Sequence, residues 1–271
     1  MEKNDAAFGG AIPDLYDRLL VPLLFETYAA DMAARVSKAH PRDVLEVAAG
    51  TGALTRAMSE RLGEDTRITA SDLNEPMLAR GKARQKDDGR IAWQQADAQA
   101  LPFEDSRFDL IACHFGVMFF PDRLAAYREA LRVLRPGGHY LFNVWDALPR
   151  NEFVTVVSDV LAMLYPRDPP RFMERTPHGY HEPDAIRRDL DAAGFREIEI
   201  ERVQRQSRAG SAADVATAYC QGTPLRMEIE ARTPPPLDDA TKAVADALQH
   251  RFGSGPIEGE ISAFAVSARR P

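Results

Sequence analysis

The chain has 271 residues, 45% hydrophobic and 28% charged, enough to bury a sizeable core in one large α/β domain or one domain with an insertion. Its formal net charge of −7 is opposite in sign to the basic stripe that tracks a phosphate backbone. No window approaches the roughly 18 consecutive apolar residues of a membrane span, and the start of the chain shows no signal peptide. Cys113 and Cys220 are too few and too isolated for a disulfide framework or a zinc site. These features predict a cytoplasmic protein with no nucleic acid partner and no metal.

Residues 1–12 are polar and glycine-containing and are expected to be mobile. Leu15, Leu19, Leu20, Leu23, Leu24 and Tyr28 recur at helical spacing, so residues 14–40 read as helical. Pro22 is expected to break or kink that stretch into two helices. An alternation of strands and helices begins at residue 43. The strand 43–47 leads to a helix over 53–62, which Gly63 stops. The strand 67–71 leads to a helix over 75–85, with Asn74 as its N-cap and Pro76 in its first turn. Strands over 91–95 and 108–113 follow, then a helix over 123–134 with Leu124, Tyr127, Leu131 and Leu134 on its apolar stripe. Pro136-Gly-Gly138 reads as a turn before a strand over 140–145. Short β-rich runs alternating with helices imply right-handed βαβ units and a parallel sheet.

The second half is less regular. Residues 151–165 form an apolar helix, and the five prolines of 166–183 mark a loop or lid. A helix over 184–193 ends at Gly194, and a half-exposed strand over 195–203 alternates Ile198 and Ile200 with glutamates. Residues 205–256 read as a helical insertion interrupted by Pro234-Pro235-Pro236, and 261–268 closes as a strand. The last two strands lack the βαβ pattern, which predicts an antiparallel hairpin at the sheet edge.

The chemistry begins in Val44-Leu-Glu-Val-Ala-Ala-Gly-Thr-Gly-Ala-Leu-Thr55. A strand ends in Glu46, passes through a glycine turn and enters a helix. Glycines there let backbone approach a nucleotide-type ligand closely. A pyrophosphate cradle wants Gly-x-Gly-x-x-Gly, and the third position here is Thr55. No lysine follows, so the turn is not a P-loop. The later strand ends add two acids: Asp72, able to accept both hydroxyls of a ribose, and Asp97, able to accept from an exocyclic amine.

These residues resemble the class I S-adenosylmethionine-dependent methyltransferases of the small-molecule type. The matching pieces are Leu45-Glu-Val-Ala-Ala-Gly-Thr-Gly52, Ala70-Ser-Asp-Leu-Asn-Glu-Pro-Met-Leu78, Ala96-Asp-Ala-Gln-Ala-Leu-Pro-Phe103, Phe108-Asp-Leu-Ile-Ala-Cys113 and Leu134-Arg-Pro-Gly-Gly138, in the family's order and covering roughly 41–146. The resemblance implies a Rossmann-like α/β fold: a seven-stranded, mostly parallel sheet with an antiparallel edge hairpin and helices on both faces. It implies a single methyltransferase domain over 1–271, with an N-terminal helical cap (1–40), a cofactor core (41–146), a helix and lid (147–183) and a C-terminal sheet edge (184–271). Glu46, Gly50, Thr51 and Gly52 would face the amino acid part of S-adenosylmethionine, with Ala48 lining the turn. Asp72 would take the ribose, Leu73 and Met77 the adenine faces, Asp97 and Ala98 its edge, and the His114 carbonyl the amino group. Many relatives carry a glycine in the turn where Ala48-Ala49 stands; alanine is tolerated there if its φ is negative.

Methyl transfer from a sulfonium relies on proximity and alignment, with a base needed only where the acceptor must lose a proton. Candidate bases are His114, His178 and His181, with a structural or solvated histidine as the alternative for each. Tyr16, Phe115, Met118, Phe119, His178 and Tyr180 are candidates for an acceptor pocket, with ordinary core packing as the alternative. A non-catalytic S-adenosylmethionine binder and a nicotinamide-dependent oxidoreductase are the competing functions.

Overall fold

The computed structural model describes residues 12–232 and 234–271. The expected mobile stretch therefore falls, except for Ile12, outside the described residues. The strands are β1 Asp43–Val47, β2 Arg67–Asp72, β3 Ile91–Gln95, β4 Phe108–His114, β5 Leu134–Trp145, β6 Arg196–Ala209 and β7 Ile257–Arg269. They form one sheet in the order β3-β2-β1-β4-β5-β7-β6. The pairs β1–β2, β2–β3, β1–β4 and β4–β5 are parallel, and β7 runs antiparallel to β5. The order reverses beside β1, which makes the β1/β4 boundary the switch point where open α/β sheets bind ligands.

The chain divides into two compact units. One comprises Glu26–Trp145, Tyr180–Val203 and Ala263–Pro271. It holds β1 to β5 and the helices Glu26–Lys38, Ala53–Arg61, Glu75–Arg84, Arg123–Val133 and Pro183–Ala193. Met32, Val36, Leu54, Met58 and Leu110 are buried together in its core. Each helix presents an apolar stripe to a sheet that is apolar along its central strands, so burial drives the layering. Gly194 caps the helix Pro183–Ala193 at φ 106°, as its position predicts.

The other unit comprises residues 12–25, 146–179 and 204–262. The expected 205–256 insertion resolves into the helices Ala212–Gln221, Leu225–Glu230 and Leu237–Phe252. Phe153 of the helix Glu152–Leu164 meets Phe252 edge-on at 5.0 Å. Its ring lies where a Cβ on Gly259 would come within 2.8 Å, so a bare backbone faces it. The proline-rich 166–183 stretch is no open loop. It forms a short helix, Phe172–Arg175, and buries Phe172, Met173, Thr176 and His178.

Three local expectations are corrected. Pro22 does not split the first helical stretch; it sits inside a π-helix, Tyr16–Phe25, and an α-helix begins at the next residue. The wider turn moves away the carbonyl that the proline ring would strike in α geometry. Asn74 occupies the N-cap position without capping; its side chain donates to Asp72 instead. Pro136-Gly137-Gly138 does not precede β5 but lies within it. Phe108 pairs with Leu134 and Leu110 with His139, so the extra residues bulge out of the ladder.

Candidate functional site

The turn after β1 alternates left-handed residues: Ala48 at φ 53°, Gly50 at 56° and Gly52 at 76°. Alanine at 48 was expected to be harmless at negative φ. Its φ is positive, so this residue carries a backbone strain on the order of 1 kcal/mol. The fold makes room for it. A Cβ on Gly116, just past β4, would lie 2.4 Å from the Ala48 Cβ and 2.8 Å from Cys113 Sγ. Gly52 is equally constrained, since a Cβ there would meet the Trp93 ring at 2.7 Å. Trp93 also closes on Gly81, where a Cβ would come within 2.9 Å of the ring. Sequence reasoning missed Gly116, Gly81 and Trp93. Their signal is a space-filling fit between distant segments, which no local pattern carries.

Glu46 is fully buried on β1, and its Oε2 accepts from the Thr55 hydroxyl at 2.5 Å. Thr55, standing where a third glycine was sought, is therefore the partner of a buried acid. Burial pushes the Glu46 carboxyl from 4.5 up to about 8, against the pull of Thr55 and Arg56. Glu46 Oε1 and Thr51 Oγ1 are buried with no hydrogen-bond partner among the described residues. Two such atoms at one turn are costly unless a ligand satisfies them.

Asp72 ends β2 and ties the site together. Its Oδ2 accepts from the Gly50 N–H at 2.8 Å, and its Oδ1 from the Asn74 N–H at 2.7 Å. It holds the glycine turn as well as presenting a carboxylate, and burial raises its pKa. Leu73, next to it, is 53% exposed, an unusual position for a large apolar side chain, whereas Met77 is buried beneath Gly50. Asp97 is half-buried and accepts from the Gln99 N–H at 2.9 Å, with Ala98 between them.

His114, at the end of β4, donates from Nδ1 to Asn143 Oδ1 at 2.9 Å; the Asn143 amide donates in turn to the Phe264 carbonyl. Phe115 takes a left-handed φ of 57° and stacks on Trp145 at 4.0 Å, with Tyr28 edge-on at 5.3 Å. Met118 is buried and Phe119 half-buried in the same unit. Tyr180 donates to Asp189 at 2.7 Å, receives the Tyr127 hydroxyl at 3.3 Å and lies under the Arg123 guanidinium. His181 Nε2 is 3.1 Å from Glu182. Tyr16 and His178 belong to the other unit. Tyr16 stacks on Phe25 at 5.3 Å. His178 donates from Nδ1 to the Asp146 carbonyl at 2.8 Å, which leaves Nε2 as its basic nitrogen.

Residues 44–138 match the methyltransferase domain family. A ubiquinone/menaquinone biosynthesis C-methyltransferase from Shewanella baltica is 31% identical over 178 residues, 60% of this chain and 70% of the relative. The chain belongs to the class I S-adenosylmethionine-dependent methyltransferases. The corresponding protein of Shewanella pealeana is 30% identical over 168 residues, 57% of this chain, and the alignment spans 66% of that relative's length. A S-adenosylmethionine-dependent methyltransferase from Aquifex aeolicus shares the fold at a TM-score of 0.54 and 16% identity, covering 96% of this chain and 97% of that one.

The cofactor of this methyltransferase family is S-adenosylmethionine, and the turn fits it. A molecule carrying an ammonium and a carboxylate offers partners of the right kind for the unmatched Glu46 oxygen and Thr51 hydroxyl. The missing third glycine fits as well, because Thr55 serves the buried acid and no pyrophosphate has to approach the helix. Family membership sets aside the nicotinamide alternative.

Proposed function

We propose that this chain transfers the methyl group of S-adenosylmethionine to a small-molecule acceptor. The unmatched buried oxygens of Glu46 and Thr51 at a turn of left-handed residues carry the reading. Bound there, the cofactor supplies a methyl group already activated by its sulfonium charge, so alignment does most of the work. Glu46, Thr51, Gly50 and Gly52 hold the amino acid part. Asp72 takes the ribose hydroxyls with lone pairs beyond those that hold the turn. Leu73 and Met77 cover adenine, Asp97 and Ala98 address its edge, and the His114 carbonyl takes the amino group.

A small acceptor is supported by the curated relatives, whose names place them in quinone biosynthesis, and by the net charge of −7, which disfavours nucleic acid. Phe115, Met118, Phe119 and Tyr180 are proposed to shape the acceptor's surroundings. His114 and His181 are proposed as the side chains that take its proton. Among the described residues no helix is long and apolar enough to cross a membrane, and the cytoplasm is the proposed compartment.

The test is transfer of a labelled methyl group to a panel of phenols, quinols and amines, with calorimetric titration of S-adenosylhomocysteine alongside. Asp72→Ala should weaken cofactor affinity at least tenfold, about 1.4 kcal/mol. Binding without transfer to any acceptor would favour the non-catalytic binder, and unaltered affinity in Asp72→Ala would remove the ribose assignment.

A further inference from the structure

At the amino-terminal edge of the parallel strands, opposite the cofactor turn, lies a hollow of about 400 Å³. It is lined by Ala39 to Arg42 before β1, by Asp109 of β4 and by Arg135 to His139 of the β5 bulge. The five residues of β1 put it about 15 Å from the glycine turn. Its acids are already matched. Asp109 Oδ2 accepts the N–H groups of Arg42 and Asp43 at 2.9 Å each, and its Oδ1 takes the Arg135 guanidinium. Asp43, next to the hollow, is held by Arg67 at 2.9 Å and by Arg135 at 3.3 Å. Two carboxylates therefore balance two guanidiniums.

What remains is basic. His40, Arg42 and His139 all line the hollow, and among the described residues their side chains make no hydrogen bond or ion pair. One uncompensated guanidinium and two imidazoles thus converge on a concave surface in a chain whose net charge is −7. Such an arrangement suits a compact anion with several acceptor oxygens, which a guanidinium fork and ring N–H donors match in geometry.

We propose that this hollow is a second binding site, separate from the cofactor turn, for a phosphate dianion, either free or as the phosphomonoester of a small metabolite. Arg42 supplies the fixed charge, and His40 and His139 supply directed donors. Arg135, locked between Asp109 and Asp43, positions the wall.

Calorimetric titration of the full chain with inorganic phosphate and, separately, with glycerol 3-phosphate tests this at constant ionic strength set by chloride. One-site saturation with a Kd of about 1 mM or tighter is expected for at least one probe. The tighter probe identifies the source of the phosphate. The double variant Arg42→Gln, His139→Gln should bind it about tenfold more weakly, with its circular dichroism spectrum and its S-adenosylhomocysteine affinity unchanged. Should that variant fail to fold, His40→Gln, a change on an exposed loop, carries the same readout with a smaller loss. Absence of saturable binding for both probes, or unaltered affinity in the folded variants, overturns the site. Neither result touches the cofactor assignment, which is read in the S-adenosylhomocysteine titration.

Discussion

Ala48 and Gly116 show how one methyl group can set the turn after β1. Ala48 carries a Cβ at a left-handed φ, and the space that Cβ occupies is the space Gly116 leaves bare. Adding a methyl at 116 would bring two Cβ atoms to 2.4 Å, far inside contact, with Cys113 Sγ closing the other side at 2.8 Å. The backbone of one segment must yield, and Ala48 lies directly after β1, at the head of the turn, so a shift there moves the turn. Gly116→Ala is therefore expected to weaken S-adenosylhomocysteine binding by at least tenfold, about 1.4 kcal/mol. Adding Ala48→Gly removes one of the two clashing carbons and should restore part of the loss. Calorimetry on the two single variants and the double variant measures the coupling. Purely additive effects would show that the two positions do not act on the turn together.

At the scale of elements, the helix Arg123–Val133 depends on a cap at Asp122. Asp122 accepts from the Ala125 N–H at 2.9 Å and satisfies one of the helix's orphan donors. This helix carries Tyr127 and Arg123, both packed on Tyr180. Asp122→Ala should lower unfolding stability by about 1 kcal/mol, read from the denaturant midpoint at unchanged slope. An unshifted midpoint would mean that water replaces the cap at no cost. The helix Glu75–Arg84 makes the contrast. Asn74 has the residue type and position of a cap, yet its amide goes to Asp72, because the acid at the end of β2 needs partners more than an exposed helix end does.

At the scale of the whole molecule, the buried Glu46 couples folding to pH. Its carboxyl, ordinarily at 4.5, is pushed up to about 8 by burial. Between those values the folded protein keeps a proton that the unfolded chain releases. The contribution of the neutral acid is therefore complete below about pH 4.5, fades as pH rises, and is gone above about pH 8. Glu46→Gln keeps a neutral side chain at every pH, so its stability should fall less than that of the parent between about pH 5 and pH 8.5. Denaturant unfolding at several pH values checks this. Parallel profiles would show that Glu46 is ionised in the folded chain. Asp72, whose pKa burial also raises, contributes with the same sign in both proteins.

Local chemistry by itself determined the strands β1 to β4, the helices between them and the acids at the strand ends. Each rests on periodicity within a dozen residues, on a glycine stop such as Gly63 or Gly194, or on a motif read in order. The places of Glu46 and Asp72 on β1 and β2 were legible for the same reason, and both acids are buried there, where a carboxylate is costly unless a partner or a ligand meets it. Tertiary structure alone decided the rest. Whether Pro22 breaks a helix depends on whether surrounding packing supports a wide turn. Whether Ala48 fits depends on Gly116, 68 positions away in the chain (116 minus 48). Thr55 became intelligible only once its hydroxyl was found on Glu46, and Trp93 only once its ring was found over Gly52 and Gly81. The hollow at the far edge of the sheet belongs to the same class, because His40, Arg42 and His139 converge only when β1, β4 and β5 lie side by side. Periodicity is a property of neighbours along the chain, whereas steric room and matched charge are properties of neighbours in space, which the fold alone brings together.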